Sequence, residues 1–306
     1  MFERILVCLD GSEIARQILP YAAVQASHFD SEVHLLNVLE KRGKESEGRP
    51  PEDFDAPIYL ENAALSLREA GIGFSCVTTE GEAGEAIVAY AERHGIGLIA
   101  MATHGRSGLR RVVLGSVADF VVRNSGLPAL MIRPRETHEQ VPAEAQPFRR
   151  IMACLDGSEL AEQIMPYAVE EAVRFGASIV LFRVVPEPVA YSPGIPGAEP
   201  APVQTDRMVE EAKAGLDRAA DYVDSLATPL REMGVQAETE TMIGRAGEAI
   251  VNYADENRIN LIAMATHGRG GVQRAVFGSV ADYVLRQTGL PVLLLRPSEG
   301  QGQSAG

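Results

Sequence analysis

The chain has 306 residues, enough for two ordinary domains each with its own core, and 46% hydrophobic with 23% charged residues is the balance of a water-exposed globular protein. A formal charge of −14 argues against a nucleic-acid backbone or an anionic membrane surface as a general partner, so any bound phosphate must be held by local donors. No apolar run approaches the roughly 20 residues of a membrane span, the first residues enter a strand with no signal-peptide pattern, and Cys8, Cys76 and Cys154 form neither a disulfide framework nor a CxxC site, so the expectation is a cytoplasmic, reduced protein.

In chain order, residues 4–9 predict a strand, 13–27 a helix with Ile14, Ile18, Ala22 and Ala26 on one side, and 32–39 a second, aliphatic strand. Residues 40–57, rich in Lys, Glu, Gly and Pro, predict an exposed loop. A helix over 58–70, a strand over 73–79, a helix over 83–94 ended by Gly95 and an apolar strand over 97–102 follow. The series closes with a helix over 116–125, for which Ser116 is the expected N-cap, and a strand over 129–132.

The same series then recurs. Residues 2–13 (FERILVCLDGSE) match 148–159 (FRRIMACLDGSE) at an offset of 146, and residues 83–106 match 246–269 at an offset of 163 with 18 of 24 identical, so the second copy carries a 17-residue insertion between these blocks. The insertion falls on a Pro/Gly-rich loop, 186–205, and a longer helix, 206–233. Alternating strands and helices call for α/β domains, each a five-stranded parallel sheet with helices on both faces. The predicted division is 1–134 and 148–297, with 135–147 as linker and 298–306 as a disordered tail.

In both copies the fourth strand runs into a glycine-bearing loop and then a helix start: Ala102, Gly105, Arg106, nine residues after Gly105, then Gly115 and Ser116; and Ala265, Gly268, Arg269, then Gly278 and Ser279. Glycines let backbone approach an anion, and the free N–H groups of a first helical turn point at it, so phosphate is the natural guest. The alternative is that the glycines serve turns and the serines cap helices. Arg106, Arg110, Arg111, Arg269 and Arg274 lie in these stretches and are placed either to reach phosphate oxygens or to form a solvated loop face. Arg110 becomes Gln273 in the second copy, which removes one phosphate donor and predicts a tighter first site. His104 and His267 have no partner at dyad spacing and read as turn or packing residues.

Asp10 and Asp156 end the first strand of each copy and are followed by Gly-Ser. Each carboxylate suits a ribose hydroxyl, an adenine amine or a Mg²⁺ ion on the phosphates; each also suits an Asx-turn or helix cap, and the two roles are compatible. No nucleophile elbow, zinc site or deaminase signature is present, so no catalytic residue and no resident metal are assigned.

The Gly-x9-Gly-Ser spacing, the Asp strand ends and the closing strands LPALMIRP and LPVLLLRP together resemble the universal stress protein family over nearly the whole chain. The resemblance implies strand order 3-2-1-4-5, an adenine nucleotide, ATP with or without Mg, in the crevice between strands one and four, and a backbone contact to adenine at Val38 and Val184. It also implies pairing through the last strand, which a tandem chain can make internally as a pseudo-dimer or use in a homo-oligomer. The family's motif begins with Gly where this chain has Ala102 and Ala265, and a methyl there narrows the approach to phosphate or ribose. The leading expectation is therefore an ATP-binding stress-response sensor or regulatory module. The alternatives are a scaffold that binds no nucleotide and acts through its edges and Pro-rich loop, and a slow ATPase or binder of another adenine nucleotide, slow because no water-activating group is positioned.

Overall fold

A computed structural model describes residues 1–40, 54–103, 114–134, 147–187, 205–266 and 278–297. The first repeat runs β1 (Arg4–Cys8), a 3₁₀ turn (Ala15–Ile18), α1 (Leu19–Phe29), β2 (Glu32–Leu39), α2 (Ala56–Ala63), α3 (Leu65–Glu69), β3 (Phe74–Glu80), α4 (Ala83–His94), β4 (Leu98–Ala102), α5 (Ser116–Asn124) and β5 (Ala129–Ile132). The second runs β6 (Arg150–Leu155), α6 (Glu159–Glu162), α7 (Met165–Phe175), β7 (Ser178–Val185), α8 (Thr205–Glu232), β8 (Ala237–Ile243), α9 (Ala246–Glu256), β9 (Leu261–Ala265), α10 (Ser279–Gln287) and β10 (Val292–Leu295).

The ten strands form one sheet in the order β3-β2-β1-β4-β5-β10-β9-β6-β7-β8. Each half has the 3-2-1-4-5 order and is parallel throughout; the halves join where β5 meets β10 antiparallel. The expected internal pairing through the last strand is thus present, and the sheet's outer edges are β3 and β8.

Strand periodicity divides the core between the two faces. Ile5, Val7 and Leu9 point into a layer beneath α1, α2, α3, α7 and α8, while Leu6 and Cys8 point into one beneath α4, α5, α9 and α10. Both layers run through both repeats, so the join between them is core and not a polar domain boundary.

The helix predicted over 13–27 is broken. Pro20 sits in the first turn of α1, where its missing N–H leaves nothing unpaired, and the preceding residues make only a 3₁₀ turn. Pro166 does the same for α7. The helix predicted from residue 58 begins earlier, at Ala56, because Asp55 caps it by accepting from the Ile58 N–H at 3.0 Å, with Pro57 in its first turn.

Candidate functional site

The reversal of strand order brings the carboxyl ends of β1 and β4 side by side, and likewise those of β6 and β9. This is where doubly wound sheets hold ligands. Asp10 follows β1, and Ala102 ends β4. The Asp10 carboxylate organises the turn it starts: Oδ1 accepts from the Ser12 N–H at 2.9 Å and from the Ser12 hydroxyl at 2.7 Å, and Ser12 Oγ in turn accepts from the Ala15 N–H at 3.1 Å. Gly11 between them has φ +90°, a conformation that favours glycine. The second repeat repeats this construction, with Asp156 Oδ1 taking Ser158 N–H at 2.9 Å and its hydroxyl at 2.6 Å across Gly157 at φ +83°. The Asx-turn is therefore real, and the helix cap is Ser158, not the aspartate.

The helix start differs from expectation in one respect. Gly115 and Gly278 are the N-caps of α5 and α10, while Ser116 and Ser279 are the first helical residues and their hydroxyls cap nothing. Both serines are exposed. The Gly115 N–H donates to the Thr103 carbonyl at 2.8 Å, pinning the helix start to the end of β4, and a Cβ at Gly115 would lie 3.2 Å from that carbonyl oxygen. Asp119 and Asp282 in the first turns are ion-paired at 2.9 Å to Arg123 and Arg286. Gly105, Arg106, Gly268 and Arg269, with His104, His267, Arg110, Arg111, Gln273 and Arg274, lie outside the described residues.

Ala102 is buried, with its side chain in the layer beneath α1 and α2; Ala265 is partly buried. Val38 and Val184 lie near the ends of β2 and β7, half-buried against the opposite layer. In the second repeat a cavity of about 470 Å³ opens at these strand ends, lined by Asp156, Val184, Gly215, Arg218, Gly244 and their neighbours. Asp156 and Val184 thus share one cavity wall. No group of three or more His, Cys, Asp or Glu side chains arranged to hold a metal occurs among the described residues.

Four residues that sequence reading passed over belong to this region. Tyr59 donates its hydroxyl to the Ser12 carbonyl at 2.8 Å, and its counterpart Tyr222 donates to Glu162 Oε1 at 2.8 Å. Burial, then the Glu162 carboxylate, pushes the Tyr222 phenol far up, so it stays a donor. The Arg183 guanidinium lies over the Tyr222 ring, 4.7 Å from its centroid, and Arg218 faces the cavity from α8. The two tyrosines are equivalent at the offset of 163.

Comparison with known proteins agrees with this architecture. The model of the universal stress protein family matches twice, over residues 1–133 and 147–296. Universal stress protein Slr1230 of Synechocystis sp. is 24% identical over 96% of this chain and all of its own length, and YxiE of Bacillus subtilis is 29% identical over 44% of this chain and all of its own. The crystal structure of a universal stress protein from Archaeoglobus fulgidus superposes with a TM-score of 0.66 at 18% identity, covering 97% of this chain and 99% of that one, so the fold is shared along the whole tandem array. Two complete copies of the motif, one continuous pseudo-symmetric sheet and two separate family matches place this chain in the universal stress protein family.

Proposed function

We propose that this chain binds ATP, with or without Mg²⁺, in the strand crevice of one or both repeats and acts as a stress-response sensor or regulatory module. The observation that carries the reading is the duplicated crevice. In each repeat an Asx-turn aspartate ends the first strand beside a fourth strand whose loop returns to a glycine-capped helix start, and in the second repeat the aspartate and Val184 line one open cavity. Ribose hydroxyls would donate to Asp10 or Asp156, adenine would meet the backbone at Val38 or Val184, and the phosphates would meet the helix starts at Ser116, the Gly115 N–H being given to Thr103, or at Gly278–Ser279. Burial of the Ala102 methyl in the core leaves the first crevice compatible with this arrangement.

The scaffold alternative loses one of its surfaces, because the edge of β5 is consumed by β10 within the chain. The two readings separate in a calorimetric titration of nucleotide-stripped protein with Mg-ATP, after anything copurified has been identified. Binding at one or two sites per chain is expected, weakened about tenfold when Asp10→Asn and Asp156→Asn are combined, since the amide keeps the turn but loses the charge-assisted bond. Absence of heat at high protein concentration, or unchanged affinity in the folded double variant, would overturn the proposal. Gly115→Val is a poorer probe, because its Cβ would press on the Thr103 carbonyl whether or not a ligand binds there.

A further inference from the structure

The two crevices differ in charge at two equivalent positions. Arg183 on β7 corresponds to Asn37 on β2 at the offset of 146, and Arg218 on α8 corresponds to Asp55 at the offset of 163. In the first repeat these residues serve the fold: Asn37 is buried and donates Nδ2–H to the Leu9 carbonyl at 2.7 Å, and Asp55 caps α2. In the second repeat both positions carry guanidinium groups, and both line the same cavity. An amide and a carboxylate have become two cations, in a chain whose net charge is −14.

Arg183 is also held in place. Stacking on Tyr222, itself fixed by its bond to Glu162, limits the freedom of Arg183. Gly215 lets α8 approach β7 closely; a Cβ there would lie 3.2 Å from Val185 Cγ1, and Arg218 follows three residues later on the same side of the helix. Asp156 lines the wall as well, so Asp156, Arg183 and Arg218 sum to one positive charge where their first-repeat equivalents Asp10, Asn37 and Asp55 sum to two negative ones.

We propose that the second crevice selects an adenine nucleotide carrying a phosphate on its ribose in addition to the 5′ phosphate chain, with Arg183 and Arg218 as the residues that read it. The inference rests on the nucleotide reading above. In that reading the 5′ chain runs toward Gly278 and Ser279, whereas the arginines share their wall with Asp156, Val184 and Gly244, on the side where base and ribose sit. An added ribose phosphate meets two guanidiniums there, and in the first crevice meets neither.

The test is titration of the full chain with AMP, adenosine 2′,5′-bisphosphate and adenosine 3′,5′-bisphosphate at two salt concentrations. One bisphosphate is expected to bind a single site per chain about tenfold more tightly than AMP, with a preference that shrinks as salt rises. Arg218→Asp, an exposed helix position given its first-repeat residue, should bring the affinity ratio near one, and Arg183→Asn should lower it in the same direction. Equal affinities for AMP and both bisphosphates, or a preference that survives the combined substitution, would overturn this inference while leaving ATP binding intact. Failure of ATP and AMP to bind at all would overturn the proposed function, and this inference with it.

Discussion

Leu130 and Leu293 occupy the same position in the two repeats and are register partners across the antiparallel junction of β5 and β10. The pseudo-twofold axis passes between them, with Ala129 opposite Leu294 and Met131 opposite Val292 on either side. Both leucines are essentially inaccessible and belong to the layer beneath α1 and α7. Cross-strand pairs of this kind place side chains in direct contact, so the junction is stabilised by packing as well as by the ladder. Leu130→Ala and Leu293→Ala are each expected to cost about 2–5 kcal/mol. Because the two cavities merge, the double variant should lose measurably less than the sum of the single losses. Urea unfolding of the four proteins measures this, and strict additivity would show that the two side chains do not share a site.

A second symmetric pair lies on the same face. Gln25 of α1 and Glu171 of α7 are equivalent residues, both almost wholly buried, and Gln25 Nε2–H donates to Glu171 Oε1. Gln25 Oε1 and Glu171 Oε2 have no protein partner. Burial pushes the Glu171 carboxyl from 4.5 up to about 8, more than its bond to Gln25 pulls it down. A proton on Oε2 supplies the donor this pair lacks. Below about pH 4.5 the group is neutral in folded and unfolded chains alike and costs nothing. Between 4.5 and 8 the unfolded chain releases the proton while the folded one keeps it, so stability falls as pH rises, and the loss, on the order of 5 kcal/mol, is complete above about 8. Glu171→Gln provides a donor at every pH. The variant should be more stable than the parent above pH 8 and should lose that advantage on acidification, and parallel stability profiles from pH 5 to 9 would refute the assignment.

The tandem array and the parallel α/β class were legible because strand and helix periodicities are strong and the repeats retain long identical blocks, as at 83–106, whereas the strand order followed only from the family resemblance. Asp10 stood out in the sequence because it ends a strand with Gly11 beside it, and Gly115 because it precedes a serine at a helix start repeated at Gly278. Local chemistry hid the rest. Pro20 and Pro166 lie within apolar periodicities that read as uninterrupted helix, and a Gly-Ser pair does not reveal which residue is the cap. Arg183 and Arg218 stood out least. One is a lone cation in an aliphatic strand and the other a charge on a helix, 35 positions apart under different repeat offsets; only the packing of α8 over β7 makes them neighbours of one cavity.

Cys8 and Cys154 are both buried, at equivalent positions of β1 and β6. Burial pushes the Cys8 thiol up to about 12 and Cys154 higher still, so neither forms thiolate at neutral pH. Cys76, on the edge strand β3, is only partly buried. Alkylation under native conditions followed by peptide mass analysis should therefore modify Cys76 first, with Cys8 and Cys154 reacting only once denaturant is added. Modification of all three at similar native rates would contradict the buried placement of β1 and β6.

The helix pairs covering the opposite face depend on two glycines at equivalent positions. A Cβ at Gly84 of α4 would come within 2.6 Å of the Phe120 ring, and one at Gly247 of α9 within 2.6 Å of the Tyr283 ring. Both glycines lie in first helical turns with no left-handed φ, so close helix approach and not backbone freedom explains them. On propensity alone, alanine should stabilise each helix by about 0.5–1 kcal/mol. Overpacking opposes this, and since the aromatic ring must shift bodily, Gly84→Ala and Gly247→Ala are each expected to destabilise by a net 1–2 kcal/mol, roughly. Phe120→Leu removes the ring that the new methyl meets, so adding it to Gly84→Ala should recover part of the loss. Thermal unfolding of the single and paired variants decides the matter: a Gly84→Ala protein more stable than the parent would mean that α4 and α5 do not pack this closely.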